Sequence, residues 1–96
     1  MARLRVSRDA KRDLAGIYAF IAKDNEEAAE RVCRRLDQVL KTIAAQPGIG
    51  KRREEIAPAF RSLPFGKYVI YYRHAKSLAR IMRVVHGARD IRQLFE

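Results

Sequence analysis

The residues with chemistry to offer lie mostly between positions 68 and 90, where Tyr68, Tyr71, Tyr72, Arg73, Arg80, Arg83, His86 and Arg89 fall within little more than twenty positions. An imidazole titrates near neutrality, so His86 is the candidate acid or base. Its structural alternative is a strand end that hydrogen-bonds locally. Each arginine offers a planar fork that suits a phosphate or a carboxylate equally well, so Arg73, Arg80, Arg83 and Arg89 are candidate contacts to either. The three tyrosines have the faces to stack on bases, although strand aromatics more often serve a core or a protein contact. Cys33 is the single cysteine, which excludes an intramolecular disulfide, and with only two histidines far from it there is no metal-ligand spacing. Neither a metal nor a cofactor is expected.

These residues need a scaffold. The run from Phe60 to Asp90, FRSLPFGKYVIYYRHAKSLARIMRVVHGARD, carries apolar, β-branched and aromatic blocks at Phe60 to Leu63, Tyr68 to Tyr72 and Leu78 to Val85, separated by Pro64, Gly66, His74 to Ser77 and Gly87. It reads as a meander of three strands. Strict alternation sets Tyr68, Ile70 and Tyr72 against Val69, Tyr71 and Arg73, and sets Ile81, Arg83 and Val85 against Arg80, Met82, Val84 and His86. Both faces are partly apolar, so one should pack on a second layer while the other shows aromatics beside arginines. Asp90 to Phe95 is expected to form a short terminal helix with Ile91, Leu94 and Phe95 on its apolar side.

The second layer must come from the first half. Arg3 to Val6 alternates charged and apolar residues like a half-buried strand. Ser7 and Asp9 then supply a cap and a first-turn carboxylate, and Ala10, Leu14, Ile17, Tyr18 and Ile21 recur at helical spacing. Lys23-Asp24-Asn25 interrupts that stripe. A second begins after Glu26 and Glu27 and runs through Ala29, Val32, Cys33, Leu36, Val39, Leu40 and Ile43 to Gln46-Pro47-Gly48, where proline and glycine stop it. The outcome is an αα-hairpin. Residues Ile49 to Pro58 show neither helical nor alternating pattern and are expected to form a flexible charged loop.

At 96 residues the chain is expected to be one domain, residues 1 to 96. Its 21 Lys and Arg against 11 Asp and Glu leave a net charge of +10, a field that attracts polyanions or an acidic protein. The N-terminus has no apolar segment like that of a signal peptide, and no window approaches a membrane span, so a cytoplasmic protein without membrane contact is expected.

The order β-α-α-β-β-β, the size, the charge, the opening SRDAKRDL and the runs RSLPFGKYVIYYR and RVVHGARDI resemble the ParE/RelE superfamily of toxins from bacterial type II toxin–antitoxin pairs, more closely its ParE branch. The resemblance implies an α+β fold with the αα-hairpin packed on an antiparallel sheet. It also implies one of two activities. The RelE branch cuts messenger RNA on the ribosome with basic residues on the exposed sheet face and a terminal tyrosine or histidine; the ParE branch poisons DNA gyrase and is linked to growth inhibition and plasmid stabilisation.

Cutting RNA through its 2′-hydroxyl needs a proton acceptor, cations for the crowded phosphate and an acid for the leaving oxygen. Arg89 matches the RelE-type phosphate arginine. Tyr68 stands where RelE-like chains carry an arginine, and Phe95, which has no proton to exchange, stands at the terminal position. The ParE-like reading therefore leads, with Arg73, Arg83, His86, Arg89 and Phe95 as the surface for DNA gyrase. The alternatives are a nuclease using His86 and Arg89 and a small basic nucleic-acid-binding module. The resemblance further implies a cognate acidic, ParD-like antitoxin that folds onto Leu14, Tyr18, Tyr68, Tyr71 and Tyr72, and a higher-order complex built through it.

Overall fold

The computed structural model describes residues 2–89 and Phe95. Strand β1 (Arg3–Val6) leads into helices α1 (Arg8–Ala22) and α2 (Glu26–Ala45). A 3-10 turn at Pro47–Ile49 follows, then β2 (Lys51–Arg52), β3 (Phe60–Phe65), β4 (Tyr68–Ala75) and β5 (Leu78–His86). The five strands form one sheet in the order β1-β5-β4-β3-β2. This is the α+β arrangement expected, with two additions. The sheet is mixed, because β1 runs parallel to β5 while the other pairs are antiparallel. It also has a strand that alternation did not reveal, β2.

Both helices start where their caps dictate. Ser7 Oγ accepts the Ala10 N–H at 3.0 Å and Asn25 Oδ1 accepts that of Ala28 at 3.0 Å, with Asp9 and the Glu26-Glu27 pair in the positive first turns. Ser7 also donates to the Met82 carbonyl at 2.9 Å, so the α1 cap is fastened to β5. Ala10 and Ile17 of α1 and Leu36, Leu40 and Ile43 of α2 then close over Ile70, Tyr72, Ala79, Ile81 and Val84. Full burial of each large aliphatic side chain is worth about 1.5–3 kcal/mol, and this layer is what holds the hairpin to the sheet.

Strict alternation fails on β5. The pairing passes from Tyr71↔Arg83 to Tyr72↔Ile81 and leaves Met82 as an extra residue, a β-bulge. Ile81 and Val84 thereby face the helices together instead of lying on opposite sides. Pro64, expected to end its strand, lies inside β3, opposite Val69. It is tolerated because β2 pairs only with Arg61 and Ser62, so Pro64 lies on an outer edge.

The segment expected to be a flexible loop is ordered by long-range hydrogen bonds. The Tyr72 hydroxyl donates to the Pro47 carbonyl at 2.6 Å and accepts the Gly50 N–H at 2.9 Å, and Arg61 Nη1 donates to the Gly50 carbonyl at 2.8 Å. Gly50 has to be glycine for this approach. A Cβ there would sit 2.7 Å from the tyrosine hydroxyl and 2.9 Å from the Ser62 carbonyl oxygen. The two-residue β3–β4 turn puts Gly66 at φ +56°, but the β4–β5 turn puts Lys76 at the same value, where a side chain is strained. The expected terminal helix over residues 90–95 lies, apart from Phe95, outside the described residues.

Candidate functional site

Strand β1 stops opposite Ile81, so β5 continues beyond it as a sheet edge. Asp13, from the second turn of α1, occupies that edge. Its carboxylate accepts Arg83 Nε at 2.7 Å, Arg83 Nη2 at 3.0 Å and the Val84 N–H at 2.9 Å. The side chains of the pair are 17% and 13% exposed, which shields the contact from solvent. The Asp13 hydrogen bond, outweighing an opposing effect of burial, raises the Arg83 pKa above its ordinary value. Arg83 is thus a fork already filled by its own fold, and what it supplies to a binding surface is the position of its neighbours.

Past this clamp, His86 and Arg89 line a shallow cleft of about 280 Å³ between the end of β5 and α1, together with Arg12, Gly16, Phe20 and Tyr68. His86 Nδ1 accepts the Ala88 N–H at 3.2 Å, the local strand-end bond, which makes Nε2 the ring's donor. The Tyr68 ring meets the imidazole edge-on with centroids 6.2 Å apart. Phe20, 69% exposed, is the large apolar side chain most open to water among the described residues. The cleft combines two guanidinium groups, an imidazole and an exposed aromatic. That set can grip an acidic, partly apolar surface, and among the described residues no carboxylate hydrogen-bonds its histidine.

Arg73 and Phe95 lie elsewhere, on the sheet face away from the helices. The Phe95 ring packs edge-on against Phe60 at 5.1 Å and Tyr71 at 6.1 Å. It also borders a second cleft of about 310 Å³ shared with Arg8, Asp9, Arg80, Met82 and Arg83. The five residues expected to meet a target therefore form two groups, His86 with Arg89 and Arg73 with Phe95. Arg83 sits at the boundary between them.

The expected antitoxin set divides more sharply. Leu14 lines an apolar groove of about 150 Å³ between α1 and α2 with Cys33, Leu36, Asp37 and Leu40, and Tyr18 is 37% exposed on α1. Tyr68 packs partly under the helices. Tyr71 is buried on the opposite sheet face, and Tyr72 is fully buried with its hydroxyl engaged twice. Tyr72 is therefore a core residue and not a docking residue, because the helix-facing side of β4 is sealed. Burial raises its pKa above the usual 10.0, against smaller opposing effects of Gly50 and Arg61. Sequence reasoning missed Phe20 and Asp13. Phe20 carried a signal, an aromatic out of phase with the α1 stripe; Asp13 carried none, since its partners are 70 positions away.

Among the described residues no group of three His, Cys, Asp or Glu side chains is placed to hold a metal ion, and no helix is long and apolar enough to cross a membrane.

Residues 4–91 match the family model described as the ParE toxin of the type II toxin–antitoxin system parDE. Toxin ParE1 of Caulobacter vibrioides is 32% identical over 89 residues, covering 92% of each chain. Toxin RelE1 of the same organism is 33% identical over 86 residues, covering 85% of this chain and 89% of its own. A solved structure described as the chromosomal ParDE toxin–antitoxin system from P. aeruginosa superposes with a TM-score of 0.73 at 23% identity, over 90% of this chain and 96% of that one, and so shares the fold.

Proposed function

The chain belongs to the ParE toxin family of type II toxin–antitoxin systems, and from that membership we propose that it arrests growth by binding DNA gyrase and holding it in a state whose cleaved DNA is not resealed. The match over residues 4–91 carries this reading. The chemistry of the corner supports it. A nuclease needs one group to take the 2′-hydroxyl proton and another to donate to the leaving oxygen, and of His86 and Phe95 only His86 has a proton to exchange. Protein binding needs only shape and charge, which Phe20, His86, Arg89 and Arg12 provide.

The target surface on this reading is the cleft of His86 and Arg89 together with Arg73 and Phe95 on the adjoining face. Arg83 acts through Asp13 as the positioning residue. Neutralisation falls to a cognate acidic antitoxin seated on the α1–α2 groove, where Leu14, Cys33, Leu36 and Leu40 offer an apolar track, and the net charge of +10 speeds its encounter. Antitoxins that dimerise would then build a higher-order complex. The experiment is supercoiling of relaxed plasmid by gyrase with and without the purified chain. Lost supercoiling with accumulation of linear plasmid is expected. Unchanged supercoiling by folded protein, together with cleavage of messenger RNA on translating ribosomes, would replace this reading with the nuclease.

A further inference from the structure

Three arginines stand side by side on the open sheet face. Arg5 of β1 is in register with Arg80 of β5, and Arg80 with Arg73 of β4. Arg80 and Arg73 lie opposite in phase to residues turned toward the helices: Ala79 and Ile81 flank Arg80, and Tyr72 precedes Arg73, all 0% exposed; Arg5 shares their side through its register with Arg80. All three arginines are exposed, and among the described residues no carboxylate lies within ion-pair distance of any of them. Adjacent strands are about 4.8 Å apart, so the row places three guanidinium stems within roughly 10 Å on rigid backbone. Like charges directly opposite across a sheet are destabilising. A row of three is a cost that folding does not require.

We propose that this row is a contact site for the phosphodiester backbone of duplex DNA. The neighbouring aromatics decide the kind of polyanion. Phe60 and Tyr71 are only 6% and 8% exposed, with Phe95 packed on both, and the cleft that reaches Arg80 is lined mainly by the charged side chains of Arg8, Asp9 and Arg83, so beside the row the surface offers charge more than the apolar anchor on which a peptide interface depends. The same burial leaves no free ring on which an unpaired base can stack, as single-strand binders require. What remains exposed is charge at fixed spacing, and charge alone suffices for a duplex backbone. That the duplex is DNA and not RNA rests on the proposed action at gyrase, whose own substrate is DNA; a toxin gripping both enzyme and DNA would hold the cleaved complex together.

The test is fluorescence anisotropy of the full chain with a short labelled DNA duplex across a salt series, comparing wild type, the triple variant Arg5→Gln/Arg73→Gln/Arg80→Gln, and a control triple Arg31→Gln/Arg34→Gln/Lys41→Gln on the outer face of α2. Both triples remove the same charge from exposed positions. The row triple is expected to reduce the slope of log affinity against log salt by about 0.9 for each arginine removed, and the control to leave it near the wild-type value. Equal losses in both triples would overturn the site, since net charge alone would then explain binding. So would tighter binding of single-stranded DNA or of duplex RNA than of duplex DNA, or a glutamate-rich peptide whose binding depends on the row while duplex binding does not. Gyrase inhibition is scored separately. Inhibition by wild type with duplex affinity indifferent to the row defeats this inference alone, and row-dependent duplex affinity without inhibition defeats the gyrase reading and its preference for DNA while leaving the row a duplex contact.

Discussion

On the helix side of the sheet, Ile70, Tyr72, Ile81 and Val84 are at most 2% exposed and belong to the buried core. One position along the same strands, on the side away from the helices, stand Arg73 and Arg80, in water and in line with Arg5. The contrast is not one of composition, since the open face has Phe60, Tyr71 and Val85 of its own, each under 9% exposed. It lies in what covers each side. Two helices cover the middle of the first, whereas on the second Phe95 packs over Phe60 and Tyr71 while Arg73 and Arg80 stay exposed. The boundary between the two is the bulge at Met82 and the Asp13 clamp beside it, which bring Val84 under the helices and turn Arg83 to the edge.

Breaking that boundary should have the largest effect on stability. Asp13→Ala removes a bidentate partner from a mostly buried guanidinium and leaves the Val84 N–H without its acceptor. Uncompensated charges of this kind cost about 3–5 kcal/mol, a large part of what a chain of this size possesses. Urea unfolding should show a lower midpoint with an unchanged slope. A loss below about 1 kcal/mol would mean that the pair behaves as an ordinary surface contact.

The next effect belongs to the sealed face. Tyr72→Phe keeps the ring and removes both hydrogen bonds, leaving the Gly50 N–H without its partner, at about 1–3 kcal/mol near neutral pH. The pH dependence has a definite sign. Burial raises the folded-state pKa above 10.0, so the unfolded chain releases this proton first. The contribution of Tyr72 is therefore complete below about pH 10 and falls as pH rises through the folded-state pKa. The gap between wild type and Tyr72→Phe should narrow above pH 10; a gap that stays constant there would show that the hydroxyl ionises alike in both states.

How legible the two faces were follows from the range of the signals. Helix starts at Ser7 and Asn25 and the stops at Pro47 and Gly48 are local chemistry, and the structure places both helices there. The strands were equally visible in their β-branched blocks. What alternation misassigned was the phase of β5, because a bulge changes which residues share a side without leaving a mark in composition. Strand β2 was hidden for a related reason: Lys51-Arg52 is a strand only because β3 lies beside it and Tyr72 draws Gly50 in. Within the candidate site, residue types pointed to the basic corner, but register decided that Arg83 is spoken for, that Tyr72 is core, and that Arg5, far from the meander in sequence, joins Arg80 and Arg73.

The smallest expected effect sharpens the comparison most, because its sign is opposite. Arg80 is the middle of the row and faces a like charge on both sides, Arg5 and Arg73, whereas each of those faces only one. Arg80→Gln relieves two repulsions while keeping a long polar side chain on an exposed strand position, and should raise stability by about 0.2–1 kcal/mol, more than Arg5→Gln or Arg73→Gln. Salt supplies the check. Screening over about 10 Å at 0.1 M already weakens such repulsion, so the gain should be greatest at low ionic strength and fade toward 1 M. A loss of stability on substitution, or a gain indifferent to salt, would show that the arginines pack as their neighbours do and that the open face is shaped by folding. A salt-sensitive gain would show a face kept charged against the interest of the fold, which is what a surface selected for contact with a polyanion requires.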